Sequence, residues 1–412
     1  MTISLIRLCF GASLLVIIFL FLNRNLWTKI VQCDLGLKYI ACFLAFCLLA
    51  WLSLRPPRQF AALKPFTRRH LLYFAFLCVF TFLALEVLVR LVTGDSYQTY
   101  SAALNEKRYI IDGAASNSHK MSVPDENYYA FKLKADLDTT VTDRKYGVSQ
   151  HVVTNSDGFR FTIRQEPLPI IMALGDSATF GVGVDNGHTY PDRLQELLDG
   201  KDNVLNFGVG GWGFAEYYLA YLKYVDRCKP KLVLIGVFPA NDYTDLYHTE
   251  WAGKNADALP VPPLIRKDCR FDPSGVLLPN DIIYRIPLLR DSAACVFLGK
   301  ALIEPFVQIF TVKDDLKDME ALSQKIIAAI ARRQSTLVVL IPAKYELAAG
   351  HQPSQAHLKR LSDIPNVHVL NLFPYFADKT ADSYVDSAHL SEVGNRRAAR
   401  EIFAFINNNG LR

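Results

Sequence analysis

The sequence predicts an α/β fold: three layers, α/β/α, around a mostly parallel five-stranded sheet, preceded by three transmembrane helices. Three observations predict it. Five short apolar runs after residue 168 are continuous rather than alternating, the pattern of strands covered on both faces. Amphipathic helical segments separate them, as crossovers between parallel strands require. Before residue 93, three apolar runs of about 20 residues each have the length of a bilayer-spanning helix.

The three runs are "SLIRLCFGASLLVIIFLFL" (4–22), "LKYIACFLAFCLLAWLSL" (37–54) and "LLYFAFLCVFTFLALEVLVRLV" (71–92). A bundle helix with one wet face would carry polar residues every third or fourth position, and these carry almost none. The first run alone could be a cleaved signal peptide, since Arg7 precedes its apolar core. Gly11, Ala12 and Ser13 lie inside that core rather than after it, however, and two further runs follow, so residues 1–93 read as a retained anchor.

Charge gives the orientation. Residues 1–93 hold ten Lys or Arg against two acids, Asp34 and Glu86, whereas the remainder holds 35 bases against 38 acids. The net charge of +5 therefore resides in the anchor and does not point to a nucleic-acid partner. The loop 55–70 carries Arg55, Arg58, Lys64, Arg68 and Arg69 with no acid, which the positive-inside rule places in the cytoplasm. Everything after residue 93 is then extracytoplasmic, periplasmic or extracellular. Arg24 and Lys29 in the opposite loop count against this, and Asp34 partly offsets them. Within the third run, Glu86 and Arg90 sit four apart on one face, as a snorkelling pair or, alternatively, an intramembrane relay. Five of the eight cysteines lie in or beside the anchor; Cys228, Cys269 and Cys295 are too few and too scattered for a metal site or a disulfide scaffold, though Cys269 and Cys295 could pair.

Residues 94–149 are mixed and read as a linker that then wraps the domain edge. "HVVTNSDGFRFT" (151–162) is a short strand with an Asn/Asp/Gly turn. The regular pattern of the 150–412 domain then begins: strand "PIIMALGDS", helix 189–200, strand "NVLNFG", helix 214–228, strand "KLVLIGV", helix 315–334, strands "TLVVLIP" and "NVHVLNL", and the closing helix in "SEVGNRRAAREIFAFINNN". Between the third strand and third helix, residues 243–314 are too many for an ordinary connection and read as an insertion or a lid over the cleft.

Such sheets bind ligands at the carboxyl ends of their strands, and the strand ends here carry chemistry. "MALGDSATFGVG" (172–183) turns sharply after the first strand and puts Ser177 at a helix start, as a cap or as a nucleophile in the partly positive field of free N–H groups. No Gly-Lys-Ser/Thr follows, and the GxGxxG order and its downstream acid are missing, so neither a Walker A loop nor a dinucleotide fingerprint is present. "NFGVGGWG" (206–213) ends the second strand in glycines. "FPAND" (238–242) ends the third in Asn241, whose amide could point at an anion or merely form a turn. "YVDSAHLSEVG" (384–394) places Asp386 three before His389 at the start of the last helix.

Together these segments resemble the SGNH hydrolase superfamily, the GDSL-like lipase/esterase family, over about residues 150–412. Gly175-Asp176-Ser177 with Thr179 and Gly181 matches its first block, Asn206 to Gly211 the second, Asn241-Asp242 the third, and Asp386 with His389 the last. "NSDGFR" (155–160) is similar to a segment that leads into the serine block of membrane-anchored members. One departure is "FPAND" where many members carry Gly-x-Asn-Asp: Ala240 precedes Asn241, and Gly236 lies five earlier. The resemblance implies Ser177 as nucleophile, His389 as base and Asp386 as its orienting carboxylate. It implies an oxyanion hole from the N–H groups of Ser177 and Gly211 and the Asn241 side chain, and a structural role for Asp176. His151, His188, His248 and His368 have no role in it, and neither metal nor cofactor is implied.

The expected chemistry is acyl transfer through a Ser177 ester. Water as acceptor makes a serine ester hydrolase acting on O-acylated, for instance acetylated, envelope glycans or lipids. A sugar hydroxyl as acceptor makes an O-acyltransferase modifying an exported polysaccharide; three spans are few to carry an activated acyl group across the membrane, so a membrane acyltransferase partner would supply it. An anchored, non-catalytic glycan-binding domain is the third alternative.

Overall fold

The structure, a computed structural model, describes residues 109–111, 114–116, 121–143, 148–160, 168–271, 277–279, 315–378 and 380–411, with scattered positions among 76–87 and at 292 and 295. The chain divides into two compact units, residues 1–99 with 288–313, and residues 100–287 with 314–412.

In the first unit, the apolar runs 4–22 and 37–54 lie outside the described residues, as do Arg90 and much of the third run. The described positions of that run are helical, and Phe76, Val79, Phe80, Phe82, Leu83 and Val87 are exposed. Among the described residues no helix is long and apolar enough to cross a membrane. Ser292 Oγ donates to Glu86 Oε2 at 2.7 Å, within the same unit. The stretch 243–314, expected as one insertion, is thus divided: 243–287 belongs with the larger unit and 288–313 with the smaller.

The larger unit opens with β1 (Tyr109–Ile111) and β2 (Ala114–Ser116), a hairpin of β3 (Ser122–Asp125) and β4 (Ala130–Leu133), then β5 (Asp138–Asp143) and β6 (Val148–Val153). There follow β7 (Ile170–Gly175), the short helix α1 (Ser177–Phe180), α2 (Tyr190–Leu197), β8 (Asn203–Gly208), α3 (Phe214–Cys228), β9 (Leu232–Val237) and α4 (Asp242–Tyr247). The inserted part contributes two hairpins, β10 (Thr249–Lys254) with β11 (Pro260–Arg266), and β12 (Cys269–Phe271) with β13 (Leu277–Pro279). The chain closes with α5 (Asp315–Ala331), β14 (Ser335–Leu340), α6 (Lys344–Ala348), α7 (Gln355–Ser362), β15 (Val367–Asn371), α8 (Phe373–Phe376), α9 (Thr380–Ser383) and α10 (Glu392–Asn408).

The main sheet is parallel throughout, in the order β15-β14-β9-β7-β8. Its apolar runs are continuous because both faces are covered. Met172 and Leu174 of β7 enter one core with Val233, Ile235, Val338 and Leu340. Ile171 and Ala173 enter the other, with Leu232, Leu234, Leu337 and Val339. Each large aliphatic side chain buried this way stabilises the fold by about 1.5–3 kcal/mol. Helices α3 and α5 cover the first face, and α2 and α10 the second, where Asn395 Oδ1 accepts from the Tyr190 N–H at 2.8 Å. Helix α2 starts sharply because Thr189 and Asp192 form a reciprocal capping box. The five strands and the helices at 189–200, 214–228, 315–334 and the carboxyl end are those expected.

Residues 121–159 do more than edge the domain. Tyr129, Phe131, Leu133, Val152 and Phe159 are buried in the first core. The β3–β4 hairpin is tied down at three points: Tyr128 Oη donates to Leu219 O (3.1 Å), Leu264 N to Tyr128 O (2.9 Å) and Trp212 Nε1 to Phe131 O (3.1 Å). Strand order reverses at β7, since β8 lies on one side of it and β9 on the other. The loops after these three strands therefore part there and leave a crevice at their carboxyl ends.

Candidate active site

Ser177 reaches that crevice because β7 stops at Gly175 and α1 starts at once. Asp176 caps the helix, its Oδ1 accepting from the Ala178 N–H at 2.9 Å. It is fully buried; burial pushes its carboxyl above the ordinary range, against the pull of the Ala178 N–H. Space around the turn is tight: a Cβ on Gly208 would lie 2.2 Å from the Phe180 nitrogen, so the end of β8 touches α1 only because that residue has no side chain. Asn206 locks the contact, donating from Nδ2 to Thr179 O (2.9 Å) and accepting from the Gly208 N–H (2.9 Å).

The structure brings Ser177, His389 and Asp386 together across 212 positions of sequence. His389 Nε2 lies 3.1 Å from Ser177 Oγ, and His389 Nδ1 lies 2.7 Å from Asp386 Oδ2. Asp386 Oδ1 meanwhile accepts from the N–H groups of Ala388 (2.7 Å) and His389 (2.6 Å), so both its oxygens are engaged. The three-residue spacing is what closes this turn, which the Val385 N–H to His389 carbonyl bond (3.0 Å) completes just before α10. Burial acts to raise the Asp386 carboxyl, but the His389 ring and the two N–H donors outweigh it and hold it below the usual range. Asp176 also lies 3.2 Å from Ser177 Oγ but is committed to the helix cap.

The expected oxyanion donors flank Ser177. Gly211 sits at φ +81° in the loop after β8, a left-handed conformation that favours glycine. A Cβ on the neighbouring Gly210 would stand 3.7 Å from Ser177 Cβ, so this loop runs alongside the serine. Among the described residues, neither the Ser177 N–H nor the Gly211 N–H donates to a protein acceptor. Asn241 is the N-cap residue of α4. Its Nδ2 donates to Asp245 Oδ2 at 2.8 Å, the amide also hydrogen-bonds the Asp176 carboxyl, and its Oδ1 is buried without a partner. The turn closes without the glycine of the family pattern because Asp242 closes it: Oδ2 accepts from the Phe238 N–H (2.9 Å) and Oδ1 from Tyr217 Oη (3.0 Å).

Sequence reasoning missed two arginines. Arg160, the last residue of "NSDGFR", is buried and donates to Phe180 O (2.9 Å), Gly181 O (3.0 Å), Val184 O (2.9 Å) and Asn186 Oδ1 (2.9 Å), stitching down the loop after α1. Burial lowers its guanidinium to about 10, leaving it charged at neutral pH. Arg266, at the end of β11, is buried beside Asp245, Asp268 and Glu216. Burial works against its charge, but Asp245 and Asp268 hold it firmly protonated. Burial also pushes the Glu216 carboxyl up, and its Oε1 has no hydrogen-bond partner. The available signals were Asp245, one helical turn after Asn241, and an arginine closing the otherwise apolar "LPVPPLI".

The remaining groups stand elsewhere. His151 pairs with Asp138 (2.7 Å) and His188 with Glu392 (2.9 Å), and the thiols of Cys228, Cys269 and Cys295 are free.

The sequence profile of the GDSL-like Lipase/Acylhydrolase family matches residues 173–397, more than half of the chain. No curated protein matches. Among solved structures, a two-domain esterase active on acetylated mannans, co-crystallised with mannopentaose, aligns at 12% identity and a TM-score of 0.34. The alignment covers 58% of this chain and 49% of that one, so this chain spans about half the esterase's length. The acetyl xylan esterase AlAXEase aligns at 16% identity and 0.34 (57% and 99% of the two chains), and the psychrotrophic esterase EstA from Pseudoalteromonas sp. at 13% and 0.33 (59% and 99%). Scores this low carry no argument of their own.

Proposed function

Because this chain belongs to the GDSL-like lipase/acylhydrolase family and is accordingly an enzyme, we propose that it is a serine esterase working through an acyl-enzyme at Ser177, on O-acylated glycans or lipids at the outer face of a membrane. The observation that carries the chemistry is the unbroken path from Ser177 Oγ through the His389 ring to Asp386, with links of 3.1 and 2.7 Å.

In the reaction, Ser177 Oγ attacks the ester carbonyl while His389 Nε2 takes its proton. Asp386 holds Nδ1–H and so presents Nε2 as the acceptor, then stabilises the imidazolium. The carbonyl oxygen, now an anion, is met by the N–H groups of Ser177 and Gly211 and by the Asn241 amide, whose second hydrogen turns to it from the Asp176 carboxyl beside Ser177. One such donor is worth about 3–4 kcal/mol in the transition state. His389 returns the proton to the departing alcohol, and water, activated by the same ring, releases the acid.

The membrane setting is supported by the three apolar runs, the basic 55–70 loop and the exposed apolar positions of the described helix at 76–87. It suggests acylated envelope material, acetylated glycans among it, as substrate. A sugar hydroxyl in place of water would make the same intermediate an acyl donor.

The test uses the full-length chain in detergent micelles. A fluorophosphonate should label Ser177, and p-nitrophenyl acetate and acetylated oligosaccharides should be cleaved; Ser177→Ala should abolish both. Unchanged turnover in that variant would refute the proposal, and acetate appearing on an added sugar rather than free in solution would make the enzyme a transferase.

A further inference from the structure

The inserted β10–β11 hairpin ends in a side chain that reaches both loops beside the nucleophile. Arg266 is 4% exposed at its side chain. Its Nη1 donates to the Gly211 carbonyl, and its Nη2 to Asp245 Oδ1 at 2.9 Å. The other Asp245 oxygen accepts from Asn241 Nδ2 at 2.8 Å. Asp268 grips the same guanidinium from Nε (2.9 Å) and Nη2 (2.7 Å), which fixes its plane.

We propose that Arg266 is a positioning residue for ester cleavage: it anchors Gly211 at its carbonyl and Asn241 through Asp245, and thereby aims two of the three oxyanion donors. This rests on the esterase reading of Ser177. Gly211 has no side chain by which its neighbours could hold it, so its carbonyl is the available handle. Asn241 could in principle turn its amide over. With one N–H on the Asp245 carboxylate and the amide also bonded to the Asp176 carboxyl beside Ser177, doing so would set oxygen against oxygen, so the amide keeps a single direction. Both constraints need a flat donor fork that serves several acceptors at once. Arginine supplies one, and the compact ammonium of lysine does not.

A residue that only neutralised buried carboxyls would affect stability and leave turnover in the folded protein intact. The two roles separate in a double-mutant cycle on the full-length chain, read with p-nitrophenyl acetate and with thermal unfolding. Arg266→Lys keeps the charge and loses the fork. It should lower kcat about 100-fold, the scale of a misplacement near 1 Å, with KM within about twofold of wild type. In an Asn241→Ala background the same substitution should lower kcat only about tenfold further, because the Asn241 donor it acts through is already gone.

A folded Arg266→Lys protein with kcat within about threefold of wild type, a loss residing in KM, or effects that multiply in full would overturn the inference. Should Arg266→Lys fail to fold, Asp245→Asn, which breaks the relay between Arg266 and Asn241, carries the same expectation and the same refutation. If wild type neither cleaves the ester nor takes the fluorophosphonate label, the esterase reading falls and this inference with it. An active, labelled wild type beside an equally active Arg266→Lys sinks this inference alone.

Discussion

Replacing Asp386 by asparagine changes one atom and should stop the chemistry. The Asp386 side chain is 11% exposed, with Oδ1 on two backbone N–H groups and Oδ2 on the His389 ring. Asparagine can keep its oxygen on the backbone donors, which turns its NH2 group toward Nδ1. The imidazole must then accept at Nδ1 and carry its proton at Nε2, facing Ser177 Oγ at 3.1 Å, where it cannot take the serine proton. A wrong tautomer of this kind costs about 10⁴-fold in kcat, or roughly 5.4 kcal/mol at 1.36 kcal/mol per decade. Exchanging the 2.7 Å charge-assisted bond for a neutral one should also cost about 1 kcal/mol of stability. The assay is steady-state hydrolysis of p-nitrophenyl acetate across pH, with urea unfolding alongside. A folded Asp386→Asn enzyme retaining more than about a tenth of wild-type kcat would show that the carboxylate does not set the tautomer.

Arg160→Ala should leave three buried carbonyls without their donor and cost about 3 kcal/mol or more, read as a lowered urea midpoint, and Arg160→Lys should recover only part of it. Two carboxyls should also lose their contribution to stability in acid. Asp386 and Asp268 are both held below the ordinary carboxylate range, so the stability they contribute is complete above pH 3.8 and is lost as pH drops through their lower folded values. The gap between the unfolding midpoints of wild type and Asp268→Asn should narrow as pH falls from about 4 to 2.5, a comparison in which the raised carboxyls of Asp176 and Glu216 cancel; a constant gap would contradict the assignment.

The main sheet could be read from sequence because its signal is local: a strand buried on both faces has to be apolar at every position, as "LVLIGV" of β9 is. The contact between Asp386 and His389, the proposed acid and base, was readable for a related reason, since they meet through a three-residue turn that spacing alone describes. Arg266 was not readable. Its partners lie at 211, 216, 245 and 268, and nothing in a hairpin's sequence says which distant carbonyl its terminal arginine will meet. The β3–β4 hairpin was missed for a different reason: Tyr129 and Phe131 look like an edge segment, and contacts distant in sequence, Trp212 among them, make them core. Asn241 was foreseen as a donor, but its tie to Asp245 depends on α4 beginning at the very next residue.

The division of the chain bears on how a soluble form could be obtained. The backbone passes between the two units three times, after residues 99, 287 and 313. Removing everything up to residue 99 would therefore not isolate the larger unit. The fragment would still carry 288–313, which groups with residues 1–99. Obtaining the larger unit alone takes two excisions, the second replaced by a polar bridge from 287 to 314.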